Sequence, residues 1–283
     1  MTTSVKTVGL LHPGEMGSAV GASMVGAGAR VVWASEGRGE PSRARARDIG
    51  LEDAGTLADV AARSDTIVSV VPPHAALEVA RTVASLGFRG LYVDANAVAP
   101  ATAREIGRLV EAAGGRFVDG GIIGPANRKP GAARIYLSGP GAGEVSPLFA
   151  AGPVDGIVLD GPPGAASALK VAFAGWNKAS QGLLAAIRAF AIAEGVDAAL
   201  LAEWKISMPE TPARSDRAFH DNARKAWRFV GEMDEIASAL AAAGLPAGFH
   251  EAAGEVYRRL SVYKDTTSPP TVEEAAARLL RRD

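Results

Sequence analysis

From residue 5 to about residue 161, short apolar runs rich in β-branched residues alternate with alanine-rich stretches of helical period. The runs predict strands at 5–11, 30–34, 66–71, 91–95 and 116–119, with weaker signals at 134–138 and 156–159. Helical patterns lie between them at 16–26, 42–48, 57–63, 75–86 and 101–113. Apolar strands separated by helices predict an α/β fold, a doubly wound and mainly parallel Rossmann sheet. After Gly161 the β pattern stops. Pro162-Pro163-Gly164 is a breaker cluster, and nearly everything beyond it reads helical, punctuated by Pro209, Pro212, Pro246 and Pro269-Pro270. The chain therefore divides into an α/β domain, residues 1–160, and an all-helical domain, residues 161–283.

The first turn of this pattern carries the first candidate chemistry. Thr7–Gly17 reads TVGLLHPGEMG, a strand running through a glycine turn into a helix. Free N–H groups and a positive dipole end meet there, the geometry that holds a pyrophosphate. Against the fingerprint G-x-G-x-x-G, the loop reads His12-Pro13-Gly14-Glu15-Met16-Gly17, with His12 in place of the first glycine. At the end of the second strand come Ser35, Glu36 and Arg38. A small hydroxyl with a nearby guanidinium suits the 2′-phosphate of NADP, whereas Glu36 turned inward would suit the ribose of NAD. Both charges as solvated loop residues is the plainer alternative. The reading favours NADP(H), with NAD(H) as the alternative.

Composition narrows the classes. The chain has 283 residues, 48% hydrophobic and 22% charged, with a formal net charge of −1. That balance describes a globular protein and lacks the basic excess of a nucleic-acid binder. With no cysteine, disulfides and thiolate chemistry are excluded. The four histidines have no metal-ligand spacing, so no metal is expected. No leader or membrane span is read from the sequence, and the expected location is cytoplasmic.

Lys170 is the second candidate. It is the only ionisable side chain between Pro163 and Trp176, among Ala166, Leu169, Val171, Ala172 and Phe173. A helix so apolar is expected to be buried on most faces. Desolvation there disfavours the charged amine and prepares it for proton transfer. Asn177 and Gln181 follow at offsets of seven and eleven, on the same face, as neutral donors. A lysine that snorkels outward or pairs with an acid is the structural alternative. The aromatics Trp176, Trp204, Trp227 and Phe229 read as core or interface, and Arg224-Lys225-Arg228 as a solvated face.

In their order, these features resemble the β-hydroxyacid dehydrogenases, the family of 3-hydroxyisobutyrate and 6-phosphogluconate dehydrogenases. Gly9–Gly17 is similar to that family's glycine loop. Val70-Val71-Pro72-Pro73 resembles the loop bordering the cofactor, and Val93-Asp94-Ala95-Asn96 the strand end near the nicotinamide. The segment from Phe117 to Gly124 falls at the family's substrate segment, and Gly164–Lys170 at the one carrying its catalytic lysine. The resemblance implies hydride transfer on a small hydroxy or keto substrate, with Lys170 as general acid/base and Asn177 beside it. Val71, Pro72 and Asn96 would border the cofactor, while Asn96, Gly121, Ile122, Ile123, Gly124 and Gln181 would line the substrate. The family also implies a homodimer through the C-terminal helices, with His220, Trp204 or Trp227 contributed across the interface. Three departures stand out: Ile123 at the family's serine, Ala174 at its asparagine, and Met233-Asp234 at a later Lys-Asp pair. They point away from the standard small β-hydroxyacids. An imine reductase using NADPH and a non-catalytic dinucleotide-binding protein are the alternatives.

Overall fold

The computed structural model describes residues 6–280, so Val5 of the first predicted strand lies outside the described residues. The strands are β1 (Thr7–Leu11), β2 (Arg30–Trp33), β3 (Glu52–Asp53), β4 (Thr66–Ser69), β5 (Leu91–Asp94), β6 (Arg116–Ile123), β7 (Ala133–Ser138) and β8 (Val154–Val158). Helices α1 (Glu15–Gly26), α2 (Glu40–Asp48), α3 (Leu57–Arg63), α4 (Ala76–Ser85), α5 (Pro100–Ala112) and α6 (Ala142–Val145) alternate with them. Beyond β8 lie α7 (Ala165–Ala193), α8 (Asp197–Ser207), α9 (Thr211–Ala223), α10 (Ala226–Ala242), α11 (Gly248–Leu260) and α12 (Val272–Leu280).

Among the described residues the sheet has eight strands in the order β3-β2-β1-β4-β5-β6-β7-β8. Every pairing is parallel except β6 with β7. Order reverses between β1 and β4, which makes a crevice at their carboxyl ends. Helices cover both faces. Val8, Leu10, Met24, Val68 and Val93 belong to one core layer, and Leu11, Ile67, Tyr92, Ile106 and Phe117 to the other.

Two local differences from the sequence pattern have physical causes. β3 has only two residues, too few for any periodicity. β6 continues four residues past the predicted end at Asp119, because β7 pairs with it from Asp119 through Ile123. Gly120 and Gly121 lie past the predicted strand end but inside this strand. A Cβ on Gly121 would come within 2.5 Å of the Ala166 carbonyl oxygen, and one on Gly120 within 3.0 Å of that of Asp94. The glycines admit close packing within the strand.

The chain forms two compact units, Met1–Val171 and Ala172–Asp283. They divide inside α7 rather than at the breaker cluster near residue 160, because the first turns of α7 are bonded to the sheet. In the second unit α10 packs along α11, and Tyr257 of α11 donates to the Lys178 carbonyl at 2.7 Å. The Arg188 guanidinium is buried there between Asp197, Ser215 and Asp216. No helix among the described residues is long and apolar enough to cross a membrane.

A polar rung crosses the apolar sheet. Ser69 pairs in register with Asp94, Asp94 with Asp119, and Asp119 with Ser138, and all four are buried. Two adjacent buried carboxyls oppose each other's ionisation. Asp94 is pushed up to about 7, first by burial and then by Asp119, against the smaller help of Asn96. The folded chain thus keeps a proton on Asp94 that the unfolded chain releases near pH 4. Stability should therefore fall as pH rises through roughly 4 to 7, with the full penalty present above. Asp94→Asn is expected to flatten that fall and to stabilise the fold by about 1 kcal/mol or more at pH 8. Urea unfolding of both proteins at pH 5 and pH 8 tests this, and equal pH slopes would refute it.

Candidate functional site

At the switch point, β1 runs into the loop His12–Gly14 and then α1. The His12 N–H donates to the Val70 carbonyl at 3.3 Å, tying the loop after β1 to the loop after β4. Gly17 is required by packing, since any Cβ there would overlap the His12 carbonyl oxygen. Gly14, the N-cap of α1, has no such reason, because a Cβ there would meet nothing within 4 Å. It supplies no side-chain cap either, so the first turn of α1 opens beside a bare backbone at Gly14. This cradle fits a pyrophosphate. Pro13 is buried, Met16 rests partly against the core, and the Glu15 side chain is exposed.

Beyond β2, the Arg38 N–H closes a turn on the Ser35 carbonyl at 3.1 Å, with Gly37 at φ 67°. The turn is clamped by Arg43 of α2, whose guanidinium donates to the carbonyls of Ser35 at 2.8 Å and Arg38 at 3.2 Å. Arg45 donates to the Pro13 carbonyl at 2.9 Å and so fixes the glycine loop. Neither Arg43 nor Arg45 stands out in the sequence, where they are two of three arginines on a charged helix. The Ser35 hydroxyl is committed to Asp53, whose carboxyl it holds below the usual range. It is not a spare donor for a phosphate. Glu36 is exposed, and its N–H is bonded to the Gly55 carbonyl. The Arg38 Nη2 lies 2.5 Å from His12 Nε2. Burial, and secondarily Arg38, bring His12 down to about 4, so its ring is neutral near pH 7.

At the carboxyl ends of β4 and β5, the Asn96 amide is buried and used at both ends. Its Oδ1 accepts from the Val71 N–H at 2.6 Å, and its Nδ2 donates to Ser69 and to Asp94. The side chain expected to donate to substrate instead shapes the loop that carries Val71 and Pro72, where Pro72 is exposed.

On β6, Asp119 fixes the start of α7. Its Oδ2 accepts from the N–H groups of Gly164 at 2.9 Å and Ser167 at 3.0 Å, and from the Ser138 hydroxyl at 3.0 Å. Its Oδ1 accepts from the Ser167 hydroxyl at 2.5 Å, and Ser138 Oγ in turn receives the Ala166 N–H at 3.0 Å. A carboxylate at a helix N-terminus satisfies orphan donors and the dipole together. One turn on, Lys170 lies over β6 at Gly121, where an added Cβ would reach its Cβ at 3.2 Å.

Strand alternation sorts the rest of the predicted substrate segment. Asp119, Gly121 and Ile123 share the face under α7, whereas Ile122 points the other way into the core layer of Val118 and Ile135. Ile122 is therefore a packing residue and not part of a substrate wall. Gly124 adopts φ 128° with Ala132 and Ala133 packed on it, which makes it a turn residue after β6. Tyr136 and Arg134 stand opposite Gly121 and Ile123 and share their face, a placement that register alone reveals.

The expectation of a helix enclosed on most sides does not hold. Lys170 is half-buried, and α7 in the second unit exposes Phe173, Trp176, Leu183, Ile187 and Phe190. Asn177 accepts from Gln181 at 2.8 Å, and Gln181 accepts from the buried Asn222, forming an amide row in that unit. Among the aromatics, Trp204 is buried and Trp176 is 75% exposed.

Comparison with known proteins agrees with this fold. Residues 7–146 match the NAD binding domain of 6-phosphogluconate dehydrogenase, and residues 191–260 match a domain of unknown function, DUF1932. A curated relative from Methanothermus fervidus, an uncharacterized 28.5 kDa protein in the 7S RNA 5′ region, is 32% identical over 137 residues. That match covers 48% of this chain, which spans about half (51%) of the relative's length. A conserved protein of unknown function, described as structurally similar to 3-hydroxyacid dehydrogenases, superposes with TM-score 0.71 at 26% identity, covering 92% of this chain and all of the other. The 3-hydroxyisobutyrate dehydrogenase of Mycobacterium tuberculosis, solved with L-serine, gives TM-score 0.74 at 19% identity over 98% and 100% of the two chains. An imine reductase from Myxococcus stipitatus, solved with NAD+, gives 0.58 at 21% over 98% and 100%. At those identities the last two share the fold alone. The chain thus joins a region similar to the NAD binding domain of 6-phosphogluconate dehydrogenase to one similar to the DUF1932 domain of unknown function.

Proposed function

We propose that the chain is an oxidoreductase that moves hydride between a nicotinamide dinucleotide and a small hydroxy or keto compound. The observation that carries this reading is the position of Lys170. It sits over Gly121, two residues past the Asp119 rung, at the carboxyl edge of the sheet where the glycine loop also lies. Ligands of open α/β sheets bind at that edge. When bound, the dinucleotide supplies or accepts the hydride. The α1 N-terminus would hold its pyrophosphate, and Val71, set by Asn96, would border it. The Lys170 amine would give a proton to the substrate oxygen on reduction and take one on oxidation.

Arg38 supports NADP(H) over NAD(H). Among the described residues no carboxylate pairs with its guanidinium, which leaves the charge available to a 2′-phosphate. The exposed apolar stripe of α7 recurs at offsets of three, seven, four and three, the spacing of a helix–helix seam. Its support is for a homodimer in which a second copy covers the stripe.

Three outcomes are expected. Lys170→Ala should lower turnover at least a hundredfold, the scale of general acid–base catalysis, with dinucleotide affinity nearly unchanged. Near-normal turnover across hydroxyacids, ketones and cyclic imines would remove its proton-transfer role. Arg38→Ala should weaken NADPH about tenfold or more while sparing NADH, as read by titration of nicotinamide fluorescence. Finally, Leu183→Glu with Ile187→Glu should convert the dimer to a folded monomer in sedimentation velocity, and a monomeric wild type would refute the pairing.

A further inference from the structure

His12 occupies the place where the dinucleotide fingerprint carries its first glycine, a residue that has no side chain to offer. Its side chain instead makes one specific contact, Nε2 to the Arg38 guanidinium at 2.5 Å. Only an unprotonated nitrogen can accept that hydrogen bond. The ring's proton then resides on Nδ1, which is buried without a partner among the described residues. An unpaired buried donor is costly, and in a native fold it marks a group retained for some other purpose.

The neighbouring guanidinium groups differ from Arg38. Arg47 pairs with Glu40, and Arg43 lies 4.0 Å from Asp53 while bonding two carbonyls. Arg45 is spent on the Pro13 carbonyl and Ser42. Arg38 alone of these four is held through its side chain by a neutral ring. A carboxylate in that position would orient the guanidinium but cancel its charge, and an ammonium would repel it. A neutral imidazole orients it and leaves the charge whole. The contact also joins the two loops between which the adenosine ribose of a dinucleotide lies in this fold.

We infer that His12 is a positioning residue for cofactor specificity: as a neutral acceptor it holds the Arg38 guanidinium ready for the phosphate monoester on the adenosine ribose of NADP(H). This rests on the nicotinamide-dependent reading above and adds the residue that makes Arg38 selective. Replacing the ring frees Arg38 to sample many rotamers, so the loss falls on the cofactor that carries the 2′-phosphate.

The test is a set of dissociation constants for NADPH and NADH, read by nicotinamide fluorescence on the full chain. His12→Leu should weaken NADPH about tenfold and change NADH less than about twofold. His12→Gly, the residue of the fingerprint, should do the same and serves if the leucine variant does not fold. His12→Gln, whose amide oxygen replaces Nε2 as acceptor, should restore most of the NADPH affinity. In an Arg38→Ala background, His12→Gly should have no further effect on NADPH, because the two residues act as a unit. Equal losses for both cofactors, no loss at all, or a full additional loss in the Arg38→Ala background would each overturn the inference. A wild-type chain that binds neither cofactor, or prefers NADH, would overturn the nucleotide reading beneath it.

Discussion

The Asp119 carboxylate is the fixed point of the first unit. It sits fully buried on β6 and accepts four hydrogen bonds, three of them from the segment that opens α7. Without it the N–H groups of Gly164 and Ser167 would be buried donors lacking partners, each costing about 1–3 kcal/mol. The same bonds determine where α7 begins and which face it lays on the sheet. Lys170 follows Ser167 by one turn, so its place over Gly121 is a consequence of this cap. Gly121 completes the arrangement by presenting no Cβ to the helix.

This anchoring has an electrostatic cost that the fold places next door. Asp94 is the register neighbour of Asp119, equally buried, with fewer donors directed at it. A carboxyl in that position is easier to keep protonated than charged. Asn96 moderates the cost on one side while holding the Val71 N–H on the other, which links the polar rung to the cofactor-side loop. The rung is thus continuous from the loop after β4 to the start of α7.

A second set of contacts, independent of the first, joins the glycine loop to the loop after β2. Arg45 grips the Pro13 carbonyl, Arg43 clamps the Ser35 turn, and His12 meets Arg38. Here charge is deployed mainly toward backbone carbonyls and a neutral ring. The cradle is therefore firm and still positively charged, the combination that phosphate recognition asks of a site.

The alternation of apolar runs and helical stretches was enough to place most strands of the sheet, because strands buried on both faces must be apolar throughout. The glycine loop and Lys170 were legible for a similar reason, since each is local and chemically unusual. Tertiary structure decided everything that depends on register or on a distant partner. It extended β6 through Gly120 and Gly121, sent Ile122 into the core, and brought Tyr136 and Arg134 to the face of Lys170. It also turned Asn96 from a substrate donor into a brace and His12 from a missing glycine into the acceptor for Arg38. Residues 26 positions apart in the chain met only after two strands had paired. Periodicity reports which side of an element is apolar; it carries no information about what lies opposite.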